Sequence, residues 1–173
     1  MFKVNQTVSY GPQGVFKITE IADRNLTGKT QQYYILKSVK GNSSVIYVPV
    51  DNEKLVAKMR PMLTTEEVYN LINEMPDEEC RWIERDDERK AAFREILAES
   101  NPQKLAGLIR TIYLHQREIA KTGKRLHLTD ERFFKEAERI LYDEFSLALD
   151  ISSDSVPSFI IAQIGAGENS SAE

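Results

Sequence analysis

The rhythm of apolar and polar positions changes once along the chain. Up to about residue 58 it has a period of two. Phe2/Val4 and Val8/Tyr10 alternate, Phe16 and Ile18 share a face within Val15–Ile21, and Tyr33–Val39 and Val45–Val48 follow. Gly11-Pro12-Gln13-Gly14 and Gly41-Asn42 read as turns, Asp23–Gln32 as a polar connection, and Pro49 as the end of the last ladder. About five short β-branched and aromatic strands in under about 60 residues predict a small SH3-like or Tudor-like barrel, because closure hides edges that an open sheet of this size exposes. An OB-type barrel, whose usual ligand is single-stranded nucleic acid, fits the same periodicity.

After Pro61 the period becomes 3.6. Thr64 and Glu67 form a capping box, and Val68, Leu71, Ile72 and Met75 make one apolar stripe that ends near Pro76. Asp77-Glu78-Glu79 suits the first turn of a second helix, supported by Ala91, Phe93, Ile96 and Leu97 to about residue 98. Asn101-Pro102 reads as an N-cap followed by proline at N1, opening a third helix with Leu105, Leu108, Ile109, Ile112, Tyr113 and Ile119 on its face and Gly123 at its end. Thr129-Asp130-Glu131 opens a fourth, striped by Phe133, Ala137, Ile140, Leu141, Phe145 and Ala148. The fold class predicted is α+β: a β-barrel domain over 1–60, an all-helical module of about four helices over 61–151, and a flexible tail over 152–173. The tail is rich in Ser, Gly, Glu and Asn, yet Val156–Ile164 is apolar enough to dock on the protein or on a partner.

Composition narrows the classes. The apolar runs are far shorter than the roughly 18 residues that span a bilayer, so no membrane association is expected. The start lacks a signal-peptide pattern, and Cys80 is the sole cysteine, which excludes an intramolecular disulfide and points to a reducing cytosol. The net charge of -4 disfavours nucleic acid as a global sum, but the charge is segregated: residues 80–125 carry +4 and the remainder -8. Within 101–125 six basic residues face Glu118 alone, a positive stripe on an acidic protein.

Catalytic chemistry has little to work with. His115 and Glu118 stand three apart on a helix but lack further metal ligands, and Gly11–Gly14 is not followed by the Lys-Ser/Thr of a phosphate loop. Neither an enzyme, nor a metal site, nor a cofactor is expected. Trp82 is more informative. On a helix running from Asp77 its stripe passes through Asp86 and Arg89 before reaching Phe93 and Leu97, so it is not a continuous core face. Two readings follow: a buried anchor, or an exposed ring among Arg81, Arg85, Arg89 and Lys90, suited to phosphate contact and to stacking at a disrupted base step.

The order of these parts resembles the CarD/CdnL family of bacterial transcription regulators over about residues 1–151. The likeness rests on Phe2-Lys3-Val4 through Val8–Val15, on Tyr34-Ile35-Leu36, and on Val45-Ile46-Tyr47-Val48-Pro49. In the second module it rests on Trp82 with its charged sequel, Asn101–Ala106, and Ala137-Glu138-Arg139-Ile140-Leu141.

The resemblance implies an RNA-polymerase-interacting barrel that docks on the β subunit, shared with the transcription-repair coupling factor. It also implies a helical module that meets promoter DNA at the upstream fork of the bubble, where a tryptophan wedges into the minor groove and stabilises the open complex. Trp82 matches that tryptophan. Arg85, Arg89 and Lys90 are then its phosphate partners, Lys121, Lys124 and Arg125 a second DNA-binding patch, and Arg24, Tyr47 and Pro49 the polymerase contacts. A monomer is expected. Two departures stand out. Asp86-Asp87-Glu88 puts acids where members are often basic, and Tyr47 replaces an arginine that in some members touches the polymerase, which shifts the expected contacts toward Arg24 and apolar groups. The rival class is a protein–protein adaptor without DNA contact.

Overall fold

A computed structural model describes residues 1–75 and 81–170, with side chains to 166; it divides into two compact units, Met1–Met62 and Leu63–Glu173. The first holds strands β1 (Thr7–Tyr10), β2 (Val15–Asn25), β3 (Thr30–Ser38), β4 (Val45–Pro49) and β5 (Met59–Pro61), with the one-turn helix α1 (Glu53–Val56) before β5. All pairings are antiparallel, in the order β4-β3-β2-β1-β5. The number of strands is the one predicted, but the alternation at Phe2/Val4 forms no strand and β5 makes the fifth, and β4 and β5 remain edges among the described residues. The polar stretch expected to connect strands is mostly strand itself, since Asp23↔Gln32, Arg24↔Gln31 and Asn25↔Thr30 extend the β2–β3 hairpin.

The register of that hairpin shifts between Ile18 and Glu20, where Thr19 is an extra residue whose hydroxyl donates to the Ile35 carbonyl at 3.2 Å. A bulge reverses which side chains face the core. Phe16 and Ile18 point inward before it and Ile21 after it, joining Val8, Tyr10, Tyr34, Leu36, Val48 and Met59. Glu20, Ala22 and Arg24 are thereby carried to the opposite face.

The second unit contains α2 (Thr65–Glu74), α3 (Asp86–Glu99), α4 (Pro102–Ala120), α5 (Leu128–Leu149) and α6 (Val156–Ser170). The caps follow from the sequence. Thr64 Oγ1 accepts from the Glu67 amide at 3.2 Å while Glu67 Oε2 accepts from the Thr64 amide at 2.8 Å, and Asn101 Oδ1 accepts from the Lys104 amide at 3.1 Å. The stripes of α2, α4 and α5 interlock in one core that includes Val68, Ile72, Leu105, Ile112, Leu141 and Phe145.

Two expectations need correction. Residues 81–85 are not helical, so α3 starts at Asp86; the expected start at Asp77-Glu78-Glu79 and the lone Cys80 lie outside the described residues. Nor is the tail flexible through its length. Val156 and Ile160 are buried in the core, four residues apart on α6, and Phe159 meets Tyr69 edge-on at 5.7 Å. Burying that face offsets the poor intrinsic propensity of its Ser and Gly residues. Among the described residues no single helix is long and apolar enough to cross a membrane.

Candidate functional site

In the helical unit the chemistry gathers around a buried ion pair. Arg89, on the first turn of α3 and only 4% exposed, donates from Nε and one Nη to the two oxygens of Asp130 on α5, each at 3.1 Å; Asp130 is 1% exposed. Its other Nη donates to the carbonyls of Ile83 and Glu84 at 3.0 and 3.2 Å. The pair thus ties α3 to α5 and also holds the non-helical segment that carries Trp82.

Trp82 sits on that segment, partly buried. Its ring lies parallel to the His115 imidazole of α4, centroids 3.6 Å apart and planes within 3°, and meets Phe93 edge-on at 6.1 Å. The Arg89 guanidinium lies over the same ring at 4.6 Å. The indole is therefore neither a core anchor nor an open ring; it rests on a built shelf. Beside it opens a cavity of about 540 Å³ lined by Trp82, Glu84, Lys90, His115, His127 and Thr129 among others. Burial pushes the His115 imidazole below its ordinary value, a shift that the nearby Arg89 charge reinforces and that Glu84 and Asp130 oppose.

The expected DNA contacts separate into three kinds. Arg89 is not placed for phosphate contact: it is 4% exposed and its donors are engaged inside the protein, on Asp130, on Asp86 and on the carbonyls of the segment that carries Trp82. Arg85 and Lys90 are engaged by the acids of their own helix, Arg85 with Asp87 and Glu88 at 3.3 and 2.8 Å, Lys90 with Asp86 at 2.6 Å. Lys90 holds the Asp86 carboxyl below the usual carboxylate range. The Arg85 pairs are exposed and each is worth about 0–1 kcal/mol, whereas Lys90 is only partly exposed. Lys121 pairs with Glu118 at 2.8 Å, both largely exposed, whereas Lys124 and Arg125 enter no ion pair among the described residues. These last three lie at the end of α4 and in the loop after it. Six residues, about 9 Å of helical rise, separate Lys121 from His115. The loop leads at once to His127, which lines the Trp82 cavity, so the basic loop and the tryptophan shelf adjoin.

Sequence reasoning missed His115 as the partner of Trp82. It considered the histidine only with Glu118, which instead pairs with Lys121. Among the described residues there is no cluster of metal-ligating side chains.

In the sheet unit, cross-strand partners share a face. Arg24 lies opposite Gln31, Tyr33 opposite Pro49, and Ile35 opposite Tyr47. The bulge at Thr19 therefore brings Arg24, Tyr47 and Pro49 to the same outer face. Tyr47, 43% exposed, stands edge-on to Tyr33 at 6.4 Å, and Arg24 is steadied by two 3.0 Å contacts to the Glu20 carboxylate. β4 is also an edge strand, so one of its sides carries no strand partner among the described residues.

An open strand edge beside a face of aromatic, proline and arginine groups, with a helical unit bearing a cationic loop, defines a protein built for binding partners. Residues 2–63 match the family model described as CarD-like/TRCF RID domain. The sheet unit is thus similar to the RNA-polymerase-interacting domains of that family, a likeness consistent with a CarD-like protein connected with transcription. The match ends where the helical unit begins. No curated protein matches the chain.

Proposed function

We propose that the protein docks on the β subunit of RNA polymerase through the outer face and β4 edge of its sheet unit, and that its helical unit meets promoter DNA at the upstream fork, stabilising the open complex. The observation that carries this reading is the RID-domain match over residues 2–63. Two arrangements support it. Arg24, Tyr47 and Pro49 share one face, offering an aromatic and guanidinium anchor of the type that dominates interfaces. Trp82 stands beside a loop whose Lys124 and Arg125 enter no ion pair among the described residues. The net charge of -4 is compatible with DNA contact because docking raises the local DNA concentration to about the millimolar range, so few phosphate contacts suffice.

A second reading, an adaptor without DNA contact, is favoured by one feature: Glu84, Asp86, Asp87 and Glu88 surround the tryptophan segment with negative charge. Charge reversal separates the two. Lys124→Glu with Arg125→Glu is expected to shorten open-complex lifetime and to lower the slope of its dependence on salt by about two counterions, with polymerase affinity unchanged. An unaltered lifetime and slope would favour the adaptor.

Docking has its own test in the full-length chain. Tyr47→Asp is expected to weaken binding to isolated β subunit by about tenfold, as loss of an interface aromatic does, while the melting temperature stays put because the side chain is nearly half exposed. Undiminished binding would remove β4 from the interface.

A further inference from the structure

A second cavity, of about 500 Å³, lies within the helical unit and away from Trp82. Met75, Ala106, Ile109, Phe134, Ile160 and Ile164 supply apolar walls from the end of α2 and from α4, α5 and α6. Tyr113 and Ile161 line it too, and Ile161 is 72% exposed, so the cavity opens to solvent along an apolar lip.

Three polar side chains interrupt this lining: Arg110, Glu138 and Tyr142. Glu138 and Tyr142 are hydrogen-bonded to each other, and burial pushes the Glu138 carboxyl above its ordinary value. Arg110 is different. Its Nε is buried without a hydrogen-bond acceptor, and its guanidinium forms no ion pair among the described residues. Arg89 and Arg139, by contrast, both hold carboxylates. A desolvated donor without an acceptor is unfavourable, and native proteins leave few of them. An apolar cavity with a few converging polar groups is the ordinary form of a small-molecule site.

We propose that this cavity binds an amphipathic monocarboxylate, its alkyl body against the aliphatic walls and its carboxylate on Arg110. The planar guanidinium fork matches a carboxylate. A phosphate dianion fits less well, because Glu138 lines the same space and would repel a second negative charge. The chain crosses the lip at Ile161, so a ligand needs no opening of the core to enter. The inference is independent of DNA contact, since none of these groups belongs to the Trp82 shelf.

Octanoate and 1-octanol, titrated calorimetrically into the full-length protein, provide the test, with the methyl resonances of Ile160 and Ile164 followed in parallel. Octanoate is expected to bind saturably at one site, about tenfold or more tighter than octanol, and to shift those resonances. Arg110→Gln should reduce octanoate to the affinity of octanol while leaving octanol unchanged, and Ile164→Trp, which fills the cavity from its partly exposed wall, should weaken both. Equal affinity of the two probes for the unaltered protein, no saturable binding below millimolar concentration, or retention of octanoate affinity in Arg110→Gln overturns the proposal. The comparison of the two probes on the unaltered protein does not depend on how the variants fold.

Discussion

Arg89→Ala is expected to destabilise the helical unit by about 3–5 kcal/mol, because it leaves the Asp130 carboxylate buried and uncompensated. For a chain of this size that corresponds to a fall of roughly 10–15 °C in melting temperature. The cost arises from stranding a charge rather than from losing a favourable attraction, since removing two ions from water offsets much of what their pairing returns. The double variant Arg89→Met with Asp130→Leu therefore tests the cause. It should recover most of the loss, to within about 1 kcal/mol of the parent protein. Its effect on Trp82 should not be rescued: without the guanidinium, the carbonyls of Ile83 and Glu84 lose their donor, and the sole tryptophan's fluorescence should report a more mobile, more solvated ring in both variants. A loss below about 1 kcal/mol in Arg89→Ala would mean that water screens the pair, contrary to its burial.

This ion pair shows where reading the chain alone stops. Short-range patterning identifies β1 to β4, the capping box of α2, the Asn101 N-cap of α4 and the apolar stripes of both helices, because those signals lie within a few residues of one another. Arg89 looked like one more surface cation among Arg85 and Lys90, since its decisive partner is 41 residues away. The same distance problem hid the stack of His115 on Trp82. The start of α3 was ambiguous for another reason: both Asp77-Glu78-Glu79 and Asp86-Asp87-Glu88 suit a first turn, and composition does not choose between two good N-terminal signals. The helix α6 was masked by its Ser, Gly and Asn content, although Val156 and Ile160 already stood at helical spacing. β5 is too short, with only Met59 buried, to show a period. The most consequential omission is the bulge at Thr19. Strict alternation from Phe16 and Ile18 would place Arg24 on the core side. The extra residue moves it to the outer face with Tyr47 and Pro49, and so assembles the candidate docking face.

Trp82→Ala is expected to separate stability from function. The ring is partly buried against Phe93 and stacked on His115, so its removal should cost about 1–3 kcal/mol, less than the roughly 3–5 typical of a fully buried tryptophan. Polymerase binding should be retained, because the sheet unit supplies it. Open-complex half-life at a weak promoter should fall by about tenfold, the equivalent of losing one stacked base at roughly 1–3 kcal/mol. His115 provides the internal control. His115→Phe keeps a flat partner and should preserve most of the lifetime, whereas His115→Ala leaves the indole unsupported and should shorten it. Acidity acts through the same contact. Burial lowers the folded-state pKa of His115, so its contribution to stability is complete above the ordinary histidine value and declines as pH falls toward the lower, folded-state value. His115→Phe should flatten that decline, provided the groups facing the imidazole, Glu84, Arg89 and Asp130, are left in place. If Trp82→Ala instead lowers stability by the full amount for a core residue while open-complex lifetimes stay normal, the indole is a structural anchor, and the helical unit acts by binding protein rather than by wedging DNA.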